Sequence, residues 1–146
     1  MTTHPCVRIW LHLIWTTHNL KKELTGNLTD ALREHLLAHS EKIDVPILSI
    51  NIQPEHVHCL ISLPAKMSIS NVIQALKGES SRWINEKGLT EHRFQWNRGF
   101  GAFSISSAHV DRLKKEIIDQ DDFHKDHTFA QEYKWWAMKY GVWRKI

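Results

Sequence analysis

The chain has 146 residues, of which 42% are hydrophobic and 24% are charged, and its formal net charge is +3. This size predicts a single domain, residues 1–146, that is large enough to bury a hydrophobic core. The chain is too short for two domains of ordinary size. An apolar run of about 18 residues and a cleavable leader pattern are both missing, and the two cysteines are too few for a disulfide framework. We therefore expect a cytoplasmic protein with no membrane segment, whose mild positive charge permits a polyanionic partner.

The first half of the chain predicts a strand, a helix and a strand pair. Residues 6–16 alternate between two faces, one apolar and one carrying Arg8, Trp10, His12 and Ile14, which predicts a central strand. The leucines of residues 28–43 follow a helical stripe. Residues 46–53 and 56–63 are rich in strand-forming side chains and predict an antiparallel pair.

The second half predicts a helix over about 68–88, short strands at 93–96 and 100–106, and a helix from Ser107 to about 125. A capping box at Thr128–Gln131 begins a tail helix that ends at Gly141. The order β-α-β-β-α-β predicts an α+β, ferredoxin-like split β-α-β sandwich, an antiparallel sheet with helices on one face, plus C-terminal helices. The second face of the sheet is then expected to stay open.

The segment EHVHCLISLP places two histidines on one face of a predicted strand. His56 and His58 are two residues apart and point the same way, while Val57, Cys59 and Ile61 point to the other face. Two neutral imidazoles at this spacing can both reach one divalent ion. Spacing alone leaves ordinary core or surface histidines as the alternative, because the chain has 11 histidines.

Seven tryptophans are present, several of them near arginine. Interleaved aromatic and basic side chains are typical of surfaces that stack on bases and contact phosphates. The alternative is that most of these tryptophans lie in the core or in a dimer interface.

Four blocks together resemble the small single-tyrosine HUH transposases of insertion sequences, including their REP-associated relatives. The blocks are EHVHCLISLP, SISNVIQALKGESSRWIN, WNRGFGAFSIS and KKEIIDQDDFHKDHTFAQEY, and the resemblance spans residues 6–141. It implies a divalent metal, magnesium or manganese, bound by His56 and His58, with Gln120 as the third ligand. It also implies a tyrosine nucleophile four residues before that glutamine.

Glu116 occupies the position of the family's tyrosine. Glu116 and Gln120 form an i, i+4 pair, so we expect both to face the metal side and the Glu116 carboxylate to join the coordination shell. A carboxylate cannot replace the tyrosine cleanly, because its charge repels the phosphate and the acyl phosphate product hydrolyses readily. Tyr133 and Tyr140 lie in the tail helix, which we do not expect to fold back over the site.

The resemblance further implies single-stranded or hairpin DNA as the partner, with RNA as an alternative, and a homodimer in which Gln120 acts in cis or in trans. The helix LKGESSRW and the segment WNRGF would face the nucleic acid. The residues nominated as contacts are Lys77, Ser80, Ser81, Arg82, Trp96 and Arg98. For each of them, a solvated helix face or a core position is the alternative.

Two functions from different classes follow, and a third possibility remains. The first is a domesticated or catalytically impaired transposase that binds DNA without joining strands. The second is an active metal-dependent transposase or nuclease that uses water or another tyrosine. A folded relic without a nucleic-acid partner is the third.

Overall fold

The computed structural model describes residues 6–120 and 127–141. Its four-stranded sheet is antiparallel throughout and has the order β2-β3-β1-β4. The strands are β1 (Trp10–Thr16), β2 (Ile47–Gln53), β3 (His56–Ser62) and β4 (Gly101–Ile105). Together with two crossing helices, this is the predicted ferredoxin-like α+β arrangement.

The helices are α1 (Asn27–Lys42), α2 (Ile69–Glu86), α3 (Val110–Ile118) and α4 (Phe129–Lys139). The capping box predicted for α4 is present, since the Thr128 hydroxyl accepts from the Gln131 amide and the Gln131 side chain accepts from Thr128. A short 3-10 turn, Ser107–His109, precedes α3. The predicted continuation of α3 over residues 121–125 lies outside the described residues.

The first face of the sheet carries the larger hydrophobic core. The odd positions of β1 and β3 bury their side chains there against α1 and α2. The central members are Leu11, Leu13, Trp15, Leu32, Leu36, Val57, Cys59, Ile61, Val72 and Leu76. The alternation read from the sequence therefore sets which strand residues face the helices.

The second face is covered by α3 and α4, so the expectation that it stays open is wrong. Ile14, Leu60 and Phe103 lie on this face and cluster with residues of the two helices, Val110, Leu113, Ile117 and Trp136. The physical reason is that these strand side chains are apolar, and the apolar stripe of α3 buries them from water.

The segment predicted as a strand at 93–96 is a loop that pairs only at Trp96, through an isolated bridge to Thr17. The Asn97 amide donates to the Thr16 carbonyl at 2.8 Å, and Thr16 is the register partner of His56. The loop and His56 therefore lie at the same end of the sheet. None of the helices within 6–120 and 127–141 has the length and apolar character that crossing a membrane requires.

Candidate metal centre and nucleic-acid groove

His56 and His58 both face the second side of the sheet and both meet Glu132 of α4. The Glu132 carboxylate oxygens contact the Nε2 atoms of the two imidazoles, Oε2 at 2.9 Å from His56 and Oε1 in a short hydrogen-bonding contact with His58. All three side chains are fully buried. Their ligand atoms lie within 4.8 Å of one another, so the group could hold a metal ion.

The remaining imidazole nitrogens also have partners. His56 Nδ1 lies 2.6 Å from a carboxylate oxygen of Glu55, and His58 Nδ1 lies 3.0 Å from His12 Nε2. His12 Nδ1 in turn lies 3.1 Å from the Tyr140 hydroxyl. We call His12, His56, His58 and Glu132 the histidine cluster; Glu55 and Tyr140 are its outer partners. Such outer contacts fix the orientation of a metal-binding imidazole.

Helix α4 covers the histidine cluster. The Phe129 ring lies 4.6 Å from the His56 ring, and the Trp136 ring lies 4.5 Å from the His12 ring, centroid to centroid. The Trp136 indole also donates to Glu132 at 3.3 Å. The expectation that the tail helix stays away from the site is therefore wrong. With α4 in this position, the two histidines of β3 are closed off from solvent.

The electrostatics of the cluster differ between its histidines. Burial lowers the pKa of His12 well below its usual value, with a further decrease from neighbouring His58. Burial also acts to lower the pKa of His56, but hydrogen bonds to Glu132 and Glu55 outweigh it and raise that pKa. His12 is therefore held neutral, whereas His56 lies in a site that favours positive charge.

Glu116 lies outside this ligand group. Its carboxylate accepts from Arg112 at 3.2 Å and from Lys139 of α4 at 2.8 Å. Burial and the charge of Glu116 raise the pKa of Tyr140, which keeps that phenol protonated. Gln120 is buried, and its Oε1 has no hydrogen-bond partner within the described residues.

A basic groove of about 1070 Å³ lies between α2 and the loop at 88–98. Arg93 and Arg98 line it and are exposed. The basic side chains that line it are His18, Lys77, Arg82, His92, Arg93 and Arg98, and the acidic one among its lining residues is Glu86. A concentration of cations of this kind favours a polyanion.

The six nominated nucleic-acid contacts lie in or behind this groove. Ser80 is fully buried and accepts a hydrogen bond from the Trp96 indole at 3.0 Å. Trp96 is 9% exposed and packs on Trp15 and Phe94, so both residues support the groove wall instead of presenting a free surface. This placement favours the core alternative for Ser80 and Trp96.

The charged contacts have their own constraints. Lys77 donates to the carbonyls of Asn97 and Gly99, at 2.6 and 3.0 Å, and burial lowers its pKa. Arg82 is exposed but paired with Glu79 and Glu86. Ser81 and Arg98 also line the groove.

Sequence reasoning missed Glu132, Glu55 and the role of His12. Glu55 directly precedes the first histidine, and His12 lies on the second-face side of the first strand, so both left a local signal. For Glu132 the sequence carried no local signal beyond its place directly after the capping box, because its contact with the histidines depends on how α4 packs on the sheet. Arg93 was also missed, although it precedes the nominated WNRGF segment.

Comparison with known proteins identifies the family. The family model described as IS200-like transposase matches residues 6–120. Among curated proteins, the ISDra2 transposase TnpA of Deinococcus radiodurans is 27% identical over 116 residues, covering 76% of this chain and 83% of that protein. The transposase of insertion sequence element IS200 from Salmonella typhimurium is 26% identical over 117 residues, covering 75% and 77%.

Two solved structures share the fold. One is a provisionally assigned transposase from Deinococcus radiodurans, with a TM-score of 0.65 and 21% identity over 82% of this chain and 98% of that one. The other is a REP-associated tyrosine transposase bound to a REP hairpin, with a TM-score of 0.62 and 17% identity over 85% and 74%. Because the family model covers most of the chain, from the first strand through Gln120, the protein belongs to the family of IS200-like transposases.

Proposed function

We propose that this chain is a transposase-like protein that binds single-stranded or hairpin DNA in the basic groove. We further propose that it is domesticated or impaired in strand joining, because the sequence resemblance aligns Glu116 with the family's tyrosine. The observation that carries the proposal is the basic groove itself, which lies at the same end of the sheet as His56. A relative of the same fold is bound to a REP hairpin, which supports a structured single strand as the ligand.

Lys77, Ser81, Arg82 and Arg98 are proposed to contact the nucleic acid, and Ser80 and Trp96 to hold the wall behind them. The exposed guanidinium groups neutralise phosphates, which makes affinity fall as salt rises. A groove formed by one helix and one loop suits a single strand or a hairpin end.

At the proposed metal centre, His56, His58 and Gln120 bind a divalent ion. Such an ion would polarise a phosphodiester and stabilise the charge that develops during strand cleavage. Glu116 supplies no competent nucleophile, and its pairing with Arg112 and Lys139 holds its carboxylate outside the ligand group. The coverage of the site by α4 is a second reason to expect impaired cleavage.

Fluorescence anisotropy with a labelled hairpin, a single strand, a duplex and an RNA hairpin tests the proposal. We expect the DNA hairpin or the single strand to bind most tightly at low salt, with log affinity falling linearly against log salt concentration. Equal binding of all four ligands would show that there is no specificity for unpaired DNA. Tighter binding of the RNA hairpin would change the partner to RNA, and the absence of binding would support the relic.

An active enzyme is the second candidate, and one contact favours it. The Tyr140 hydroxyl reaches His12, which contacts His58, so a tyrosine other than residue 116 is linked to the histidine cluster. Against this candidate, Tyr140 has a raised pKa and therefore a low fraction of phenolate. A cleavage assay with Mn²⁺ separates the cases: a covalent adduct indicates a tyrosine, free cut ends indicate water, and intact DNA indicates the binding protein.

We also propose a homodimer, in which Gln120 of one chain could serve its own site or that of the second copy. Light scattering during gel filtration gives the mass directly. A monomeric mass at all micromolar protein concentrations would exclude that Gln120 serves the site of a second copy.

A further inference from the structure

We infer that Glu132 is a ligand of the proposed metal, and that ion binding fastens α4 to the sheet through a two-histidine, one-carboxylate site. The inference rests on the metal centre of the proposed function and deepens it by naming the ligand set. It also names the element that the ion holds in place.

The first argument is the convergence of donor atoms. The two imidazoles come from one strand and the Glu132 carboxylate comes from a helix distant in sequence, yet one ligand atom from each residue lies within 4.8 Å of the other two. The 2.9 Å separation between His56 Nε2 and Glu132 Oε2 is the spacing of neighbouring ligands. Two ligands that are each about 2.1 Å from an ion and roughly at right angles lie about 3 Å apart.

The second argument is the state of the imidazoles. The Glu55 carboxylate can only accept, so His56 carries its hydrogen on Nδ1, and a neutral His56 presents a lone pair at Nε2. His58 reaches the same state when its Nδ1 donates to His12 Nε2 and His12 Nδ1 donates to Tyr140. Both Nε2 lone pairs then face a carboxylate, an arrangement that is repulsive without a cation between them.

The third argument is the charge. Glu132 is fully buried and Glu55 is 8% exposed, and burying two carboxylates is costly unless their charge is compensated. A divalent cation at the site would place positive charge beside the Glu132 carboxylate, and it would do so with His12, His56 and His58 neutral. Protonation of His56 and His58 is the competing way to balance the same charge, and the experiment below distinguishes the two.

The donor set indicates the class of ion. Imidazole nitrogen suits zinc, copper, iron and nickel, carboxylate oxygen suits manganese, and magnesium prefers oxygen ligands alone and retains its water. A site with two nitrogens and one carboxylate therefore selects Zn²⁺ or Mn²⁺ over Mg²⁺. The magnesium alternative of the sequence analysis becomes the less favoured ion.

The position of Glu132 links the ion to α4. Phe129 and Trp136 of the same helix pack on the imidazoles, so α4 contacts the site along its length. An ion shared between β3 and Glu132 adds bonds between the sheet and the helix. Metal binding should therefore slow the opening of α4.

The test uses the full chain, stripped of metal by a chelator, without DNA. Titration calorimetry with ZnCl₂, MnCl₂ and MgCl₂ measures affinity for the wild type, His56→Ala, Glu132→Gln and Gln120→Ala. Glu34→Gln, an exposed carboxylate on α1, is the matched control. Hydrogen exchange of the backbone amides of residues 129–139 is measured with and without Zn²⁺.

We expect the wild type and Glu34→Gln to bind Zn²⁺ and Mn²⁺ but not Mg²⁺ at the same concentrations. His56→Ala should lose binding. Glu132→Gln should lose more than the roughly 10- to 100-fold in affinity that follows removal of an outer-shell partner, and Gln120→Ala should lose less. Zn²⁺ should slow exchange of α4 in the wild type and not in Glu132→Gln. Circular dichroism checks folding, and Glu132→Asp, which keeps the carboxylate, should retain part of the affinity.

Three outcomes would overturn the inference. If Glu132→Gln binds like the wild type while His56→Ala does not, the metal centre of the proposed function stands and Glu132 is not a ligand. If Zn²⁺ binds without slowing exchange in α4, the ion does not fasten the helix. If the wild type binds none of the ions, the cluster is a protonated ion-pair network, and the metal centre fails while the DNA-binding test remains independent.

Discussion

The histidine cluster, whose His56 lies at the groove end of the sheet, and the basic groove differ in burial and in how their polar groups are paired. The cluster is closed: Glu132 and the imidazoles are fully buried, and their nitrogens have fixed partners. The groove is open, and its arginines at 93 and 98 are exposed. A closed polar site responds to a change as a unit, because each atom depends on the next. In an exposed set of charges, removing one side chain should change the binding free energy by a small amount that is nearly independent of the other charges.

The largest expected effect is at Trp96, which lines the open groove but is itself buried, so that it should respond to mutation like a core residue. Trp96→Ala should lower the free energy of unfolding by about 3 kcal/mol, because it leaves a cavity beside Trp15 and Phe94. Trp96→Phe should cost about 1 kcal/mol, chiefly through loss of the hydrogen bond to Ser80. Urea denaturation measures both. A stable Trp96→Ala variant that has lost DNA binding would instead make Trp96 a direct contact.

The second effect tests whether the cluster acts as a unit. The double change His56→Ala, His58→Ala should abolish the stabilisation that Mn²⁺ gives the wild type. At a free ion concentration about a hundredfold above Kd, that stabilisation is about 2.7 kcal/mol. Thermal unfolding with Mn²⁺ and with a chelator measures it. Equal stabilisation of the wild type and the double variant would place the ion elsewhere.

The third effect tests the independence of the charges in the groove. Arg93→Ala and Arg98→Ala should each reduce the slope of log affinity against log salt by about one unit. Arg82→Ala should change it less, because Glu79 and Glu86 already pair with that guanidinium. Anisotropy titrations at several salt concentrations give the slopes. If all three slopes match the wild type, the basic groove is not the DNA interface.

The smallest expected effect is on DNA cleavage, which requires both the basic groove and the histidine cluster. Glu116→Tyr places a phenol at the position that we propose for the family's nucleophile, and we expect a trace of covalent DNA adduct that requires His58 and a divalent ion. The signal should be weak, because α4 covers the cluster and a misplacement near 1 Å can cost about a hundredfold. Denaturing electrophoresis of labelled DNA detects the adduct. An adduct on Tyr133 or Tyr140 of the wild type would contradict the proposed loss of the nucleophile.

The sequence by itself determined the order of the main strands and helices along the chain, the helices of the first face and the shared direction in which His56 and His58 point. These features follow from short-range regularities: a period of two in the strands, helical stripes, and the capping box at Thr128. The nomination of Lys77 and Arg98 as nucleic-acid contacts came from the family resemblance of two short sequence blocks, and both residues line the groove. Residues close in sequence carry this information, so no knowledge of the packing was required.

Only the tertiary structure decided that α4 covers the second face and that Glu132 meets the two histidines. Residues 56 and 132 are far apart in sequence, and their contact depends on how α3 and α4 pack on the apolar positions around Leu60 and Phe103. No periodicity encodes such a docking angle. Packing on the first face likewise decided that Ser80 and Trp96 are buried behind the groove, because burial is a property of the assembled core and not of a short segment.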